Sequence, residues 1–137
     1  MAIRVEVELK RGELTTYRRH EKGQGLVSPK ARVNASAYVS SSVYIERDAS
    51  VGPGSWIGQG SWIDHDAVVG TGVFIGANVY IGAGAVVGDN ARLGSHTHIG
   101  LGAFIADGVV IGNELRVPDF ADVSVRSATR ADRALVG

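Results

Sequence analysis

Every sixth residue from Val27 to Val123 is a branched aliphatic: Val27, Val33, Val39, Ile45, Val51, Ile57, Ile63, Val69, Ile75, Ile81, Val87, Leu93, Ile99, Ile105, Ile111, Val117 and Val123. A fixed period sustained that long is the mark of a stacked, repetitive architecture. Two further columns share the period. The residue two before each aliphatic is small or β-branched, as in Ala31, Ala37, Val43, Ala49, Ser55, Ser61, Ala67 and Val73. Two positions apart on a strand point the same way, so each pair supplies one large and one small plug for the side of a narrow tube. Three such short strands close one triangular coil.

The glycines fall into the same frame. Of 19 in the chain, 15 lie between Gly52 and Gly112. They sit either directly after an aliphatic or three residues after one. The second column holds Gly54, Gly60, Gly72, Gly84, Gly102 and Gly108, together with Asp48, Asp66, Asn78, Asn90 and His96. These types tolerate positive φ, so the column is expected to form the left-handed turn at each corner.

This hexad pattern resembles that of the hexapeptide-repeat proteins, and the fold it implies is an all-β, left-handed parallel β-helix. Residues 27–128 would make about 5⅔ coils, a prism roughly 27 Å tall at the spacing of stacked strands. Residues 1–26 lie outside the repeat. Ile3, Val5, Val7 and Leu9 alternate with charges, and Leu14 to Arg19 can return as a second strand, which predicts a hairpin cap for the N-terminal end. Residues 129–137 are expected to be a C-terminal tail, with a short helix from Ser127 as the other reading.

Composition narrows the function. The chain has no cysteine, which removes disulfides, thiolate zinc sites and a Cys nucleophile. Its 14 basic and 14 acidic residues cancel, so global charge gives no reason to expect nucleic acid. The basic excess is confined to residues 1–33, where an anionic partner is the minor alternative to a solvated cap. No membrane span or signal peptide is read, and a cytoplasmic location is the expectation.

Outward positions eighteen apart stack on one face. One face reads Tyr38, Trp56, Phe74, Arg92, Val110; the next reads Tyr44, Trp62, Tyr80, His98, Arg116; the third reads Arg32, Ser50, Val68, Val86, Phe104, Asp122. Aromatic ladders of that size either stabilise a lone solenoid or form a subunit interface. A homotrimer is expected, which the family resemblance also implies.

The chemistry centres on Asp64-His65-Asp66, at the start of a corner. A carboxylate beside an imidazole fixes its tautomer and favours its use as a general base. The segment resembles the catalytic corner of hexapeptide-repeat acyltransferases. The resemblance implies His65 as base, Asp66 as its orienting acid, and acetyl-CoA or another acyl-CoA as donor to a hydroxyl or amine of a small molecule. The donor is then expected in a groove between prisms, beside Gly82, Gly84, Gly100 and Gly102, with Arg116 the candidate for its phosphate. No metal is expected. The γ-class carbonic anhydrases share this implied fold, but their second histidine falls five residues after the first, where this chain has Gly70; zinc hydration through His65, His96 and His98 is the lesser enzyme reading. The remaining alternative is a non-catalytic trimeric scaffold, in which His65 is a solvated corner residue and Asp66 merely suits its turn.

Overall fold

The computed structural model describes residues 4–8, 14–124 and 127–128, with side chains between Thr16 and Ser124. The hexads build a left-handed β-helix. From Leu26 to Val123 each hexad contributes a strand of two residues, the outward residue and the aliphatic, and among the described residues there is no helix. Each strand pairs in parallel with the one a coil above. The series Tyr44, Trp62, Tyr80, His98, Arg116 is therefore a hydrogen-bonded ladder in sequence steps of one coil. Three sheets result, one per face of the prism.

The core is the two inward columns. Val27, Val39, Ile45 and every later aliphatic to Val123 are buried, as are the small residues Ala37, Ala49, Ala67, Ala85, Ala91 and Ala103. Each fully buried Ile or Val contributes roughly 1.5–3 kcal/mol of transfer free energy. Hydroxyls in the small column do not break this core, because each reaches a corner. Ser55 Oγ donates to the Gly70 carbonyl at 2.7 Å and accepts the Val73 N–H at 3.0 Å. Ser61 repeats the arrangement with Gly76 and Val79. Both polar atoms are satisfied, so the solenoid tolerates serine where alanine would pack equally well.

Corners turn through the left-handed region at the expected column, from Asp48 (φ 61°) and Asp66 (φ 63°) to His96 (φ 61°). The column also contains Glu114 (φ 60°) and Phe120 (φ 61°), types that do not favour this conformation. Glycine directly after an aliphatic has a different cause. A Cβ at Gly58 would lie 2.6 Å from the Gly76 carbonyl oxygen, one coil above, so the coils can close to strand spacing only without it.

At the N-terminal end, β1 (Arg4–Glu8) and β2 (Leu14–Arg19) form an antiparallel hairpin, and β2 continues antiparallel onto β3 (Leu26–Val27). The hairpin thus extends one face of the prism. Tyr17 is buried edge-on against Tyr44, with ring centroids 5.2 Å apart, and its hydroxyl donates to Glu46 at 2.8 Å. The loop after β2 covers a second face, where Val39 N–H donates to Lys22 O at 2.9 Å. At the other end Ser127–Ala128 is a strand beside Val110–Ile111, so the chain stays in the solenoid where a helix was the alternative, with a register one residue shorter than the repeat. The rest of the expected tail, 129–137, lies outside the described residues. No helix among the described residues is long and apolar enough to cross a membrane.

The two glycine columns should respond oppositely to substitution. Gly58→Ala is expected to destabilise by about 1–3 kcal/mol through overpacking against backbone. Gly84→Asn, at φ 68° with nothing within 4 Å of a notional Cβ, should stay within about 1 kcal/mol of the parent. Urea unfolding midpoints of the two variants check both.

Candidate active site

The corner after Trp62–Ile63 carries Asp64, His65 and Asp66 before the chain re-enters a strand at Val68. The left-handed turn at Asp66 brings its carboxylate alongside the preceding side chain. His65 Nδ1 stands 2.8 Å from Asp66 Oδ2. A carboxylate only accepts, so Nδ1 carries a proton, and in the neutral ring Nε2 is the nitrogen with the lone pair. Both side chains are accessible, His65 43% and Asp66 52% exposed. From the coil below, Arg47 Nη1 lies 3.1 Å from Asp48 Oδ2 and 3.9 Å from Asp66 Oδ2, which places cationic charge beside both carboxylates.

Asp64 is committed elsewhere. Its Oδ1 accepts the backbone N–H of His65 at 2.7 Å, and its Oδ2 accepts the Tyr80 hydroxyl at 2.6 Å. Burial and this hydrogen bond push the Tyr80 hydroxyl up to about 12, so it remains a donor at neutral pH.

The glycines above His65 divide into two kinds. Gly84, one coil over Asp66, borders open space, and its N–H donates to His65 O at 3.1 Å. Gly102, a coil higher, lies under the ring of Phe120, which is itself 73% exposed. Gly82 and Gly100 open nothing. A Cβ at Gly82 would meet Gly100 backbone at 2.7 Å, and one at Gly100 would meet Asp119 N at 2.5 Å, so both are required by stacking.

The comparisons with known proteins can be set against this geometry. The family model for bacterial transferase hexapeptide (six repeats) matches residues 54–89 and 66–101, which bracket the corner. Residues 54–101 carry the hexapeptide repeat of that family. A search of curated proteins finds no match. Among solved structures the chain is similar to GDP-perosamine N-acetyltransferase of Caulobacter crescentus in complex with CoA and GDP-perosamine, at 27% identity and a TM-score of 0.73, over 75% of this chain and 49% of that one. A histidine-to-asparagine variant of that perosamine N-acetyltransferase aligns at 28% identity and a TM-score of 0.69, over 77% and 50%. The chain therefore spans about half the length of those transferases. A hexapeptide transferase family protein of Anaplasma phagocytophilum, at 21% identity and a TM-score of 0.50 over 76% and 74%, shares the fold.

The other sequence candidates are placed apart from the corner. His96 occupies a left-handed turn. His98 lies on a face, its ring 4.8 Å from Tyr80, with Arg116 beside it in the ladder. Trp62, Tyr80, His98, Leu101 and Asp119 line a groove of about 470 Å³ on that side. No group of three His, Asp or Glu able to hold a metal is found among the described residues. On the neighbouring face Tyr38, Trp56 and Phe74 stack at 5.3 and 5.2 Å, and Arg92 covers the last ring at 4.8 Å. Sequence reasoning missed Tyr80 and Arg47 as neighbours of the corner. The register held the signal: Arg47 is one coil below His65, and Tyr80 is the outward residue of the coil above Trp62.

Burial lowers the His98 pKa, and Arg116 lowers it further while Asp119 opposes. The unfolded chain therefore binds this proton more readily than the folded one, and stability is lost as pH falls below the ordinary imidazole range. His98→Phe keeps a ring on Tyr80 and should flatten that loss, measured as urea midpoints between about pH 5 and 7.5.

Proposed function

We propose that this hexapeptide-repeat protein transfers an acetyl or short acyl group from coenzyme A to a hydroxyl or amine of a small molecule, with His65 as general base and Asp66 as its orienting acid. The observation that carries this reading is the 2.8 Å contact of His65 Nδ1 with Asp66, which leaves Nε2 as an accessible base at a corner. Likeness to acetyltransferases, including one in complex with CoA, supports acyl transfer as the general class.

In the proposed reaction Nε2 takes the proton from the acceptor as its oxygen or nitrogen attacks the thioester carbonyl. The C–S bond then breaks, and the imidazolium returns the proton to the leaving sulfur. Asp66 stabilises the imidazolium between these steps without itself taking the proton. Open space at Gly84 leaves room for a donor arm next to His65. The column from Asp66 through Gly84 and Gly102 to Phe120 rises three coils, about 14 Å, a length suited to an extended pantetheine. Arg116 is exposed and is the proposed contact for the donor's phosphate.

The groove is proposed to close between subunits. Trp62 (45% exposed) on one side of the corner and Val68 and Phe104 on the other leave apolar surface on both adjoining faces, with Leu101 exposed above. A homotrimer of parallel prisms would cover that surface and bring a second chain beside His65. The reaction is assigned to the cytoplasm.

Thiol release from acetyl-CoA across a panel of sugar, amino-sugar and small alcohol acceptors tests the activity. At least one acceptor should be acylated, and His65→Ala should lower that rate by about 10²–10⁴-fold. Equal rates for the two proteins across the panel would leave the scaffold reading in its place. Light scattering at micromolar concentration should give about 43 kDa, three chains of 14.3 kDa, and a monomer mass would remove the intersubunit groove.

A further inference from the structure

His65 is flanked by two carboxylates, and only one of them bonds its ring. Either neighbour in sequence could reach the ring by its position alone. The structure gives the ring to Asp66, and Asp64 has both oxygens occupied, one by the His65 N–H and one by the Tyr80 hydroxyl. We infer that Tyr80 is a positioning residue: it holds the Asp64 carboxylate away from the imidazole, so that His65 pairs with Asp66 and its Nε2 stays free.

The coil below shows what the same position does without that task. Glu46, one coil under Asp64, also bonds an aromatic residue of the next coil, accepting Trp62 Nε1–H at 2.8 Å. Its second oxygen accepts Tyr17 OH, so the longer side chain places both oxygens on aromatic partners. Asp64, shorter by one methylene, keeps one oxygen on the corner backbone and ties the corner to Tyr80. Above it the position is Gly82, Gly100 and Pro118, which have no such group. Asp64 thus links the ladder to the corner that bears the imidazole.

The bond is charge-assisted and short, and Tyr80 is held in turn between Trp62 at 5.0 Å and His98 at 4.8 Å. The charged and titratable groups around the ring are accounted for in the same way. Asp66 bonds it, Asp64 is bound by Tyr80, and Arg47 lies against Asp48 with Asp66 at its margin. Removal of the Tyr80 hydroxyl releases one Asp64 oxygen within a residue of the ring while the aromatic stack survives.

The use of this arrangement in catalysis rests on His65 being the base, but the arrangement itself can be read without activity. The experiment follows the side-chain carboxyl carbons of Asp64 and Asp66 by NMR as the His65 ring is titrated, in the parent, Tyr80→Phe and Asp64→Asn proteins. In the parent the Asp66 carbon should track the ring with at least about twice the amplitude of Asp64, as befits the charge-assisted partner. In Tyr80→Phe the Asp64 response should rise to match or exceed it. In Asp64→Asn the Asp66 response should persist. An unchanged ratio in Tyr80→Phe, or an Asp66 response abolished by Asp64→Asn, would overturn the assignment. Failure of the catalytic reading is separable: carboxyl responses that switch as expected with no acyl transfer detected keep the positioning role and remove the base. Transfer lost in His65→Ala, together with an unswitched ratio, does the reverse.

Discussion

Everything in this molecule depends on one spacing. Successive coils must approach to the distance of paired strands, and they can do so only if each side of each coil offers the same small volume to its neighbours. One aliphatic and one small residue per hexad meet that requirement inside. At the corners the backbone itself passes close to the coil above, which is why Gly58 faces the Gly76 carbonyl and Gly82 faces Gly100. The strands of the prism are only two residues long, so no single one holds the fold; the stack does.

That same stacking creates the site. A corner is the one place where three consecutive side chains leave the prism, and a left-handed turn folds the third back towards the second. Asp66 therefore serves the turn and the imidazole together. The residue type that the backbone tolerates at φ 63° is also the one that can accept Nδ1–H. Structural and chemical demands on Asp66 are not alternatives here. His65 carries the additional information, because no turn geometry requires an imidazole at its position. Its accessible Nε2 and the open space at Gly84 distinguish this corner from Asp48, where the preceding residue is Arg47 and an ion pair results.

The prism was legible because its determinants are local and repeated: the aliphatic column, the small column and the turn column each recur at a fixed interval. Where a position departs from its column, the sequence was silent. Glu114 and Phe120 adopt the left-handed turn although neither favours it, since the corners beneath them impose the path. The hairpin was readable as strands, but not as an extension of one face, because its pairing with Leu26–Val27 depends on the turn at Gly23 and Gln24, which both take positive φ. At the site, His65 and Asp66 could be named from the register. The register also placed Tyr80 one coil above Trp62, but not its bond to Asp64, since no periodicity specifies where a hydroxyl at the tip of a side chain reaches. Nor could a period separate Gly84, which borders open space, from Gly102 in the same turn column, which lies under the Phe120 ring.

The proposed groove between prisms joins these threads, because the prism exposes Trp62, Leu101 and Phe104 around the corner that bears the proposed base. A crystal structure of the protein grown with coenzyme A addresses the central claim most directly. The account predicts the thiol sulfur within about 4 Å of His65 Nε2, in a groove walled by a second copy of the chain. Coenzyme A bound away from this corner, or a His65 ring facing bulk solvent with no neighbouring chain, would contradict it.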